Sequence, residues 1–308
     1  MTFKHAVRLA RPEHWIKNVL VFLPVLTAKR MGDPWAWLSA AVAAAAFCLI
    51  SSAAYIVNDI RDRANDRLHP RKRNRPLAAG QVTVAAAATE ATVLLLGSLA
   101  AAAVVDWGRQ PVLILVIAAY ILLQLTYSFM LKRIMLMDAI CIALGFVLRA
   151  AGGAVAIRVV ISPWLFVCTF SLCLFLAFCK RRNEIVTLGG LGRAGEHRST
   201  LSGYTPELLT HLITLSAAIA IIAFLFYAIN SRTVANLGTT FLLYTLPLVV
   251  YAVCRFAMLS MGGRYADPTD LILHDRPFRL AAALWATAAV LIIRYGPALS
   301  EWLSEHYR

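Results

Sequence analysis

Between positions 55 and 66 the chain sets several oxygen-bearing side chains at spacings that suit a hard metal ion: Tyr55, Asn58, Asp59, Asp62 and Asp66. If a helix continues through this run, Asn58, Asp62 and Asp66 fall at i, i+4 and i+8 along one face. Tyr55 then lies one turn earlier, and Asp59 about 100° round from Asn58. Oxygen donors stacked about 6 Å apart suit Mg2+, which takes one or two carboxylates, keeps some waters and bridges substrate phosphates. The run begins inside an apolar stretch, where acids are rare and usually functional. Asp62 and Asp66 as mere helix-end charges would neutralise nearby arginines but leave Asn58 and Asp59 unexplained. The spacing therefore points to Asn58 and Asp62 as metal ligands, with Asp66 or Asp59 completing the set; Asp59 and Asp62 are the catalytic candidates.

A basic stretch follows directly. Residues 71–75 hold four cations, Arg71, Lys72, Arg73 and Arg75, bracketed by Pro70 and Pro76. The prolines stop helix continuation and shape a loop. Arginine grips phosphate oxygens with two parallel bonds, lysine as a point charge. Alone, this loop would also pass for an ordinary membrane anchor. Directly after acids that suit a metal, it reads as the phosphate-binding part of one diphosphate site.

The elements that must carry these groups are membrane helices. Of 308 residues, 60% are hydrophobic and 15% charged, with a mean hydropathy of +0.70. A soluble domain is less apolar and more charged. The apolar residues come in runs of roughly 18–25, long enough to cross about 30 Å of hydrocarbon. Nine helices are expected, over 15–30, 35–60, 82–106, 110–130, 137–157, 161–180, 207–230, 239–260 and 280–298, as a single all-α transmembrane domain spanning 1–308. The first is the weakest, being short and interrupted by Pro24. The six cysteines fall in apolar runs without metal-ligand spacing and read as small core residues. No cleavable signal peptide is expected.

The net charge of +14 would suggest nucleic acid in a soluble protein. Here the charges gather in alternate loops, and no nucleic-acid partner is expected. Cations crowd the exits of the second, fourth, sixth and eighth helices: Arg61 to Arg75, then Lys132 and Arg133, then Lys180 to Arg198, then Arg264 to Arg279. The intervening loops are short and poor in charge, with Lys29 and Arg30 the local exception. Positive charge marks the cytoplasmic side. The N-terminus is then cytoplasmic in a multi-pass cell-membrane protein. The active-site loops at about 61–81, 131–137, 181–206 and 261–279 surround a cytoplasm-facing central cavity. Tryptophans 15, 35, 37, 107, 164 and 302 sit near helix ends as interfacial anchors.

The pattern Asn58, Asp59, Asp62, Asp66 followed by His69, Pro70, Lys72, Arg73, Arg75 and Pro76 resembles the first aspartate-rich motif of the UbiA prenyltransferase superfamily. Arg11, Pro12, Trp15, Ile16, Lys17 and Asn18 also resemble it. More narrowly, the chain resembles the superfamily's decaprenyl-phosphate phosphoribosyltransferase branch. The matches are Tyr127, Ser128, Leu131 and Lys132; Leu148, Arg149, Ala150, Gly152, Gly153 and Ala154; Lys180, Arg181 and Glu184; and Asp275 with Arg276. The resemblance covers nearly the whole chain and implies a nine-helix UbiA-type bundle. Members that transfer prenyl groups usually carry a second aspartate-rich motif after the sixth helix. Lys180, Arg181, Arg182, Asn183 and Glu184 stand there instead. That favours a donor with additional phosphate.

The resemblance implies Mg2+-dependent transfer of 5-phosphoribose from phosphoribosyl diphosphate to a polyprenyl phosphate. The product would be a lipid-linked pentose precursor for envelope glycans. Beyond the metal ligands, it gives to the substrates Lys17, Asn18, Tyr55, Lys72, Arg73, Arg75, Tyr127, Lys132, Arg149, Lys180, Arg181 and Glu184. Lys17 and Lys132 also fit headgroup anchors. Arg149, about 18 Å into its helix, needs a partner or a polar cavity. Asp138, eleven residues earlier on nearly the same face, would line one side of such a cavity with it, Arg149 holding the lipid phosphate or a donor oxygen; a structural pair with an acid such as Glu90 is the alternative. Arg181 and Glu184, at i and i+3, are spaced for a local pair. Two alternatives stand: a prenyltransferase with an aromatic acceptor, and a transporter, for which Arg149 and Glu90 are the best evidence. An oligomer is compatible with the sequence.

Overall fold

A computed structural model describes residues 2–68, 72–160, 162–187, 203–262 and 268–306. His69, Pro70 and Arg71, the glycine-bearing stretch with Arg193 and Arg198, and Arg264 lie outside the described residues. Among the described residues every regular element is helical. Eight helices are long and apolar enough to cross a membrane: Pro34–Leu68, Val84–Val105, Val112–Phe129, Met137–Ala156, Pro163–Val186, Pro206–Ile229, Phe241–Met261 and Arg276–His306. The chain is a multi-pass membrane protein.

The segment expected as a first helix over 15–30 is built differently. A short helix α1, Phe3–Ala10, ends at Arg11, whose backbone is left-handed (φ 52°). A 3-10 stretch, Pro12–Phe22, runs into a short α2, Leu23–Thr27. Pro24 has no N–H to offer the Leu20 carbonyl in α fashion. The N–H of Leu23 takes that carbonyl instead, which is the tighter 3-10 spacing.

The helix that carries the acids, α3 (Pro34–Leu68), outruns its expected end by eight residues. The expected loop at 61–81 is therefore helical up to Leu68. Asp33 caps the start of α3, accepting from the N–H of Trp35 at 2.9 Å, with Pro34 in the first turn. Then come α4 (Val84–Val105), α5 (Val112–Phe129) and α6 (Met137–Ala156). Thr83 caps α4 through the N–H of Ala86 at 3.2 Å. The next helix, α7 (Pro163–Thr187), runs seven residues beyond its expected end, so Arg181 and Glu184 are helical rather than in a loop. The remaining helices are α8 (Pro206–Ile229), α9 (Ser231–Leu237), α10 (Leu246–Met261), α11 (Pro268–His274) and α12 (Arg276–His306).

Two compact units divide the chain. The first comprises Met1–Val25, Arg30–Leu131 and Leu148–Val160; the second comprises Leu26–Lys29, Lys132–Val147 and Ile161–Arg308. The core of the first gathers Phe47, Ile50, Ile56, Leu113, Ile117 and Tyr120. Close approach matters here: a Cβ on Gly153 would overlap the Val21 carbonyl oxygen, and one on Gly152 would run into the Phe47 ring. Glycine at both positions lets α6 seat the 3-10 stretch and α3 at backbone distance. The core of the second unit gathers Phe175, Phe178, Ile213, Phe256 and Leu271.

Smaller expectations also meet the structure. Lys29, a cation in a loop expected to be charge-poor, reaches the Leu237 carbonyl at 3.3 Å, capping the end of α9. Arg30 pairs with Asp33 at 3.2 Å. Five cysteines are buried or half-buried, but Cys254 is exposed, which corrects its reading as a core residue. Asp275 caps α12 through the Phe278 N–H at 2.8 Å and pairs with Arg255 at 2.7 Å.

Candidate active site

Because α3 stays helical to Leu68, its acidic end forms a continuous surface. At 3.6 residues per turn, Asn58 and Asp62 lie about 40° apart, and Asp59 and Asp66 about 20° apart on the adjoining side. The two stripes differ in environment. Asn58 and Asp62 are half-buried, whereas Asp59 and Asp66 are 2% and 4% exposed.

Arginines occupy the buried stripe. Nη2 of Arg11 lies 2.7 and 2.5 Å from the two carboxylate oxygens of Asp59. Nη1 of Arg75 lies 3.0 Å from Asp59 Oδ1 and 2.7 Å from Asp66 Oδ2. Arg11 also rests over the Tyr55 ring, 5.4 Å from its centroid. Arg11 belongs to the motif read from the sequence, but its pairing with Asp59, across 48 residues, carries no local signal.

The basic loop is held by its arginine neighbours. Arg63 Nε donates to the Leu77 carbonyl and Arg67 Nε to the Ala78 carbonyl, each at 3.2 Å. Lys72 and Arg73 are exposed in a 3-10 turn, Lys72–Asn74. Arg61 donates to the Phe129 carbonyl at 3.1 Å and lies over its ring. Tyr127 and Lys17 are half-buried.

Arg149 and Asn18 are deep in the first unit, 5% and 2% exposed. Arg149 donates from Nε to Asn18 Oδ1 and from Nη2 to the Tyr120 hydroxyl, each at 2.7 Å. Asn18 Nδ2 in turn faces Cys48 Sγ at 3.1 Å. Glu90, the acid weighed from the sequence as a structural partner, is not among these two contacts.

In the second unit, Asp138 is fully buried and meets Arg181 Nε at 2.8 Å. Arg181 also pairs with Glu184 at 2.5 Å, as its spacing predicts. The Tyr204 hydroxyl donates to Asp138 Oδ1 at 2.8 Å and accepts from the Leu136 N–H at 2.8 Å. Leu136 has a left-handed backbone (φ 68°) just before α6. Burial, and then the Asp138 charge beside it, push the Tyr204 hydroxyl well above its ordinary pKa. Lys132 and Lys180 are half-buried in this unit.

The half-buried donors Asn58 and Asp62 of α3 suit a divalent ion of the hard class. An amide oxygen and a carboxylate one turn apart leave the remaining positions to water and phosphate oxygens, as Mg2+ prefers. Among the described residues no group of three or more His, Cys, Asp or Glu side chains is arranged to hold a metal.

Comparison with known proteins gives the family and the fold. A protein from Mycobacterium tuberculosis named decaprenyl-phosphate phosphoribosyltransferase is 33% identical over 294 residues, covering 94% of each chain. Nodulation protein NoeC of Azorhizobium caulinodans is 30% identical over 73% of this chain and 72% of its own. Among solved structures, a UbiA homolog from Archaeoglobus fulgidus bound to GPP and Mg2+ matches with a TM-score of 0.69. It covers 94% of this chain and 99% of its own, at 20% identity, a likeness of fold. Residues 19–270 match the UbiA prenyltransferase family, and the chain belongs to that family.

Proposed function

We propose that the protein transfers a 5-phosphoribosyl group from phosphoribosyl diphosphate to the terminal phosphate of a polyprenyl phosphate such as decaprenyl phosphate. The name of the relative that is 33% identical over 94% of the chain supports both substrates. The structural observation that carries the reading is at the end of α7. Glu184 is the one carboxylate between Lys180 and Glu184, and Arg181 holds it at 2.5 Å. A stretch of that character suits a donor rich in phosphate. A second metal, as a simple prenyl diphosphate donor calls for, would need free carboxylates there.

Asn58 and Asp62 are the residues that would hold Mg2+. Bound there, the ion would neutralise diphosphate charge and make diphosphate a better leaving group. Lys17, Lys72 and Arg73 would hold phosphate oxygens of the donor. Phosphoribosyl transfer passes through oxocarbenium-like charge at the anomeric carbon. The acceptor phosphate is already an anion, so no strong general base is required of the chain. Catalysis is then positioning plus electrostatic stabilisation. Tyr55, Tyr127, Lys132, Lys180 and Glu184 remain proposed substrate contacts on the resemblance. Arg149 and Asn18, which hold each other, we assign to the framework.

The Pro12–Thr27 segment completes a nine-span reading. Eleven 3-10 residues at about 2.0 Å and five α residues at about 1.5 Å reach about 30 Å, a full hydrocarbon thickness. With nine spans, the cation-rich loops would lie on the cytoplasmic side together with the N-terminus. A cytoplasm-facing cavity, a cell-membrane location and a product used for envelope glycans belong to the same proposal.

The test is direct. Purified protein is incubated with Mg2+, polyprenyl phosphate and either phosphoribosyl diphosphate, or a prenyl diphosphate plus 4-hydroxybenzoate. Mass spectrometry of the lipid fraction should find polyprenyl phosphoribose in the first mixture and no prenylated aromatic in the second. The reverse result rejects the reading. Turnover in detergent, with no second compartment, also rules out transport as the activity.

A further inference from the structure

At the buried stripe of α3 four charges alternate, Arg11, Asp59, Arg75 and Asp66, the acids from α3 and the arginines from the segments before and after it, joined by contacts of 2.5–3.0 Å. Both oxygens of Asp59 face Arg11, and one is shared with Arg75. Asp66, 4% exposed, faces the same Arg75 group. Carboxylates this deep are tolerated because the guanidinium groups compensate them, and each arginine is in turn committed to them. The arrangement separates these two acids from Asn58 and Asp62, although all four belong to one motif.

We propose that Asp59 and Asp66 are positioning residues for Arg11 and Arg75, and that Arg75 is a latch for the basic loop rather than a phosphate ligand. The inference rests on the proposed diphosphate site. On one side the latch fixes the first segment. Ser52 Oγ donates to the Ala10 carbonyl at 2.6 Å and accepts from Trp15 Nε1 at 3.0 Å. With Tyr55 under Arg11 and Asp59 pairing it, Ser52, Tyr55 and Asp59 grip one turn of chain from a single face of α3. Lys17 lies two residues beyond Trp15. On the other side the latch fixes the turn bearing Lys72 and Arg73, three and two residues before Arg75. Arg63 and Arg67 hold the exit of the same loop at the Leu77 and Ala78 carbonyls. The left-handed backbone of Arg11 is a strained conformation for a side-chain-bearing residue, retained where surrounding contacts over-determine it.

The roles differ in the sign of one effect. If Arg75 bound donor phosphate directly, Asp66→Asn would release it and donor KM would fall or hold. If Arg75 is a latch, Asp66→Asn unfastens the loop and donor KM rises, although a carboxylate has been removed from beside a diphosphate site. The experiment uses the full chain in detergent with wild type, Asp66→Asn, Arg75→Gln, Arg75→Lys, the Asp66→Asn/Arg75→Gln double variant and Asp62→Asn. Donor KM should rise about tenfold in Asp66→Asn and in Arg75→Gln, and no further in the double variant. Arg75→Lys should recover much of the loss. The Mg2+ concentration for half-maximal rate should stay within about threefold of wild type in Asp66→Asn.

A lower donor KM in Asp66→Asn overturns the proposal, as do single effects that multiply in the double variant. A large shift in Mg2+ dependence in Asp66→Asn makes Asp66 a metal ligand and also overturns it. Melting curves separate this from failure of the proposed reaction. In chelator, Asp66→Asn and Arg75→Gln should each lower the midpoint non-additively. The rise on adding Mg2+ with inorganic diphosphate should survive in Asp66→Asn and vanish in Asp62→Asn. Additive losses in chelator, or loss of that rise in Asp66→Asn, reject the latch even if no phosphoribosyl transfer occurs. If Asp66→Asn does not fold, an unchanged KM in Arg75→Gln is sufficient to reject it.

Discussion

Arg149 on α6 donates from Nε to the side-chain oxygen of Asn18 at 2.7 Å, joining residues 131 positions apart inside the first unit. Its other arm reaches Tyr120 at the same distance. A guanidinium in a membrane helix is costly, and here two neutral oxygens take two of its hydrogen bonds. Arg149→Ala would leave Asn18 and Tyr120 short of partners and open a gap. The expected loss is about 3 kcal/mol of stability, read as a lower melting midpoint in substrate-free detergent solution. Arg149→Lys should recover only part of it, because an ammonium cannot reproduce the two-armed geometry. An unchanged midpoint with a raised KM for either substrate would return Arg149 to the substrate.

Asp62 is half-buried one turn beyond Asn58, and the proposed mechanism gives its carboxylate to the metal. Asp62→Ala should lower turnover by about a hundredfold or more while the protein stays folded. The check is a rate assay with Mg2+ controlled, beside a melting curve. Full activity in that variant removes the metal site on which the mechanism stands.

The Gly153 position tests the seating of the first segment. An alanine Cβ there would overlap the Val21 carbonyl oxygen, which is backbone and cannot swing aside. Gly153→Ala should cost about 1–3 kcal/mol, measured as a lower melting midpoint. Gly32→Ala serves as the control, since nothing lies within 4 Å of a Cβ at that position. Equal midpoints for the two variants would show that the contact at Gly153 is dispensable.

These residues also mark how far the sequence carries. Long apolar runs announce membrane helices, because hydrocarbon thickness sets their length, and eight of the nine expected runs meet that criterion. The ninth eluded the α-helical reading because Pro24 diverts one hydrogen bond and the stretch before it takes 3-10 form. The i, i+4 spacing located Asn58 and Asp62 on one face, since helix geometry is local. Which acids turn toward arginine is not local. Arg11 meets Asp59 across 48 residues, and Arg181 meets Asp138 across a loop and a helix. Composition could show that buried charges need partners, but only packing selects them. The same limit applied to Arg149, expected to hold a substrate oxygen or to pair with Glu90, whereas an amide and a phenol are among its partners.

Tyr204 gives a prediction with a definite pH sign. Its hydroxyl bridges Asp138 and the Leu136 N–H, both at 2.8 Å, and so holds the left-handed turn that begins α6. Burial and the neighbouring carboxylate raise its pKa above the ordinary value of 10.0. A group whose folded pKa is raised stabilises the fold fully below the unfolded value and loses that contribution as pH climbs through the folded one. Tyr204→Phe removes the hydroxyl while keeping the ring, and should cost about 1–2 kcal/mol near neutral pH. The gap in melting midpoint between wild type and Tyr204→Phe should hold constant from about pH 7 to 9, then narrow above about pH 10 as the wild-type phenol ionises in the unfolded chain. A gap that widens with alkali would mean the phenolate is the favoured form in the fold. That would break the assignment of Tyr204 as the donor to Asp138.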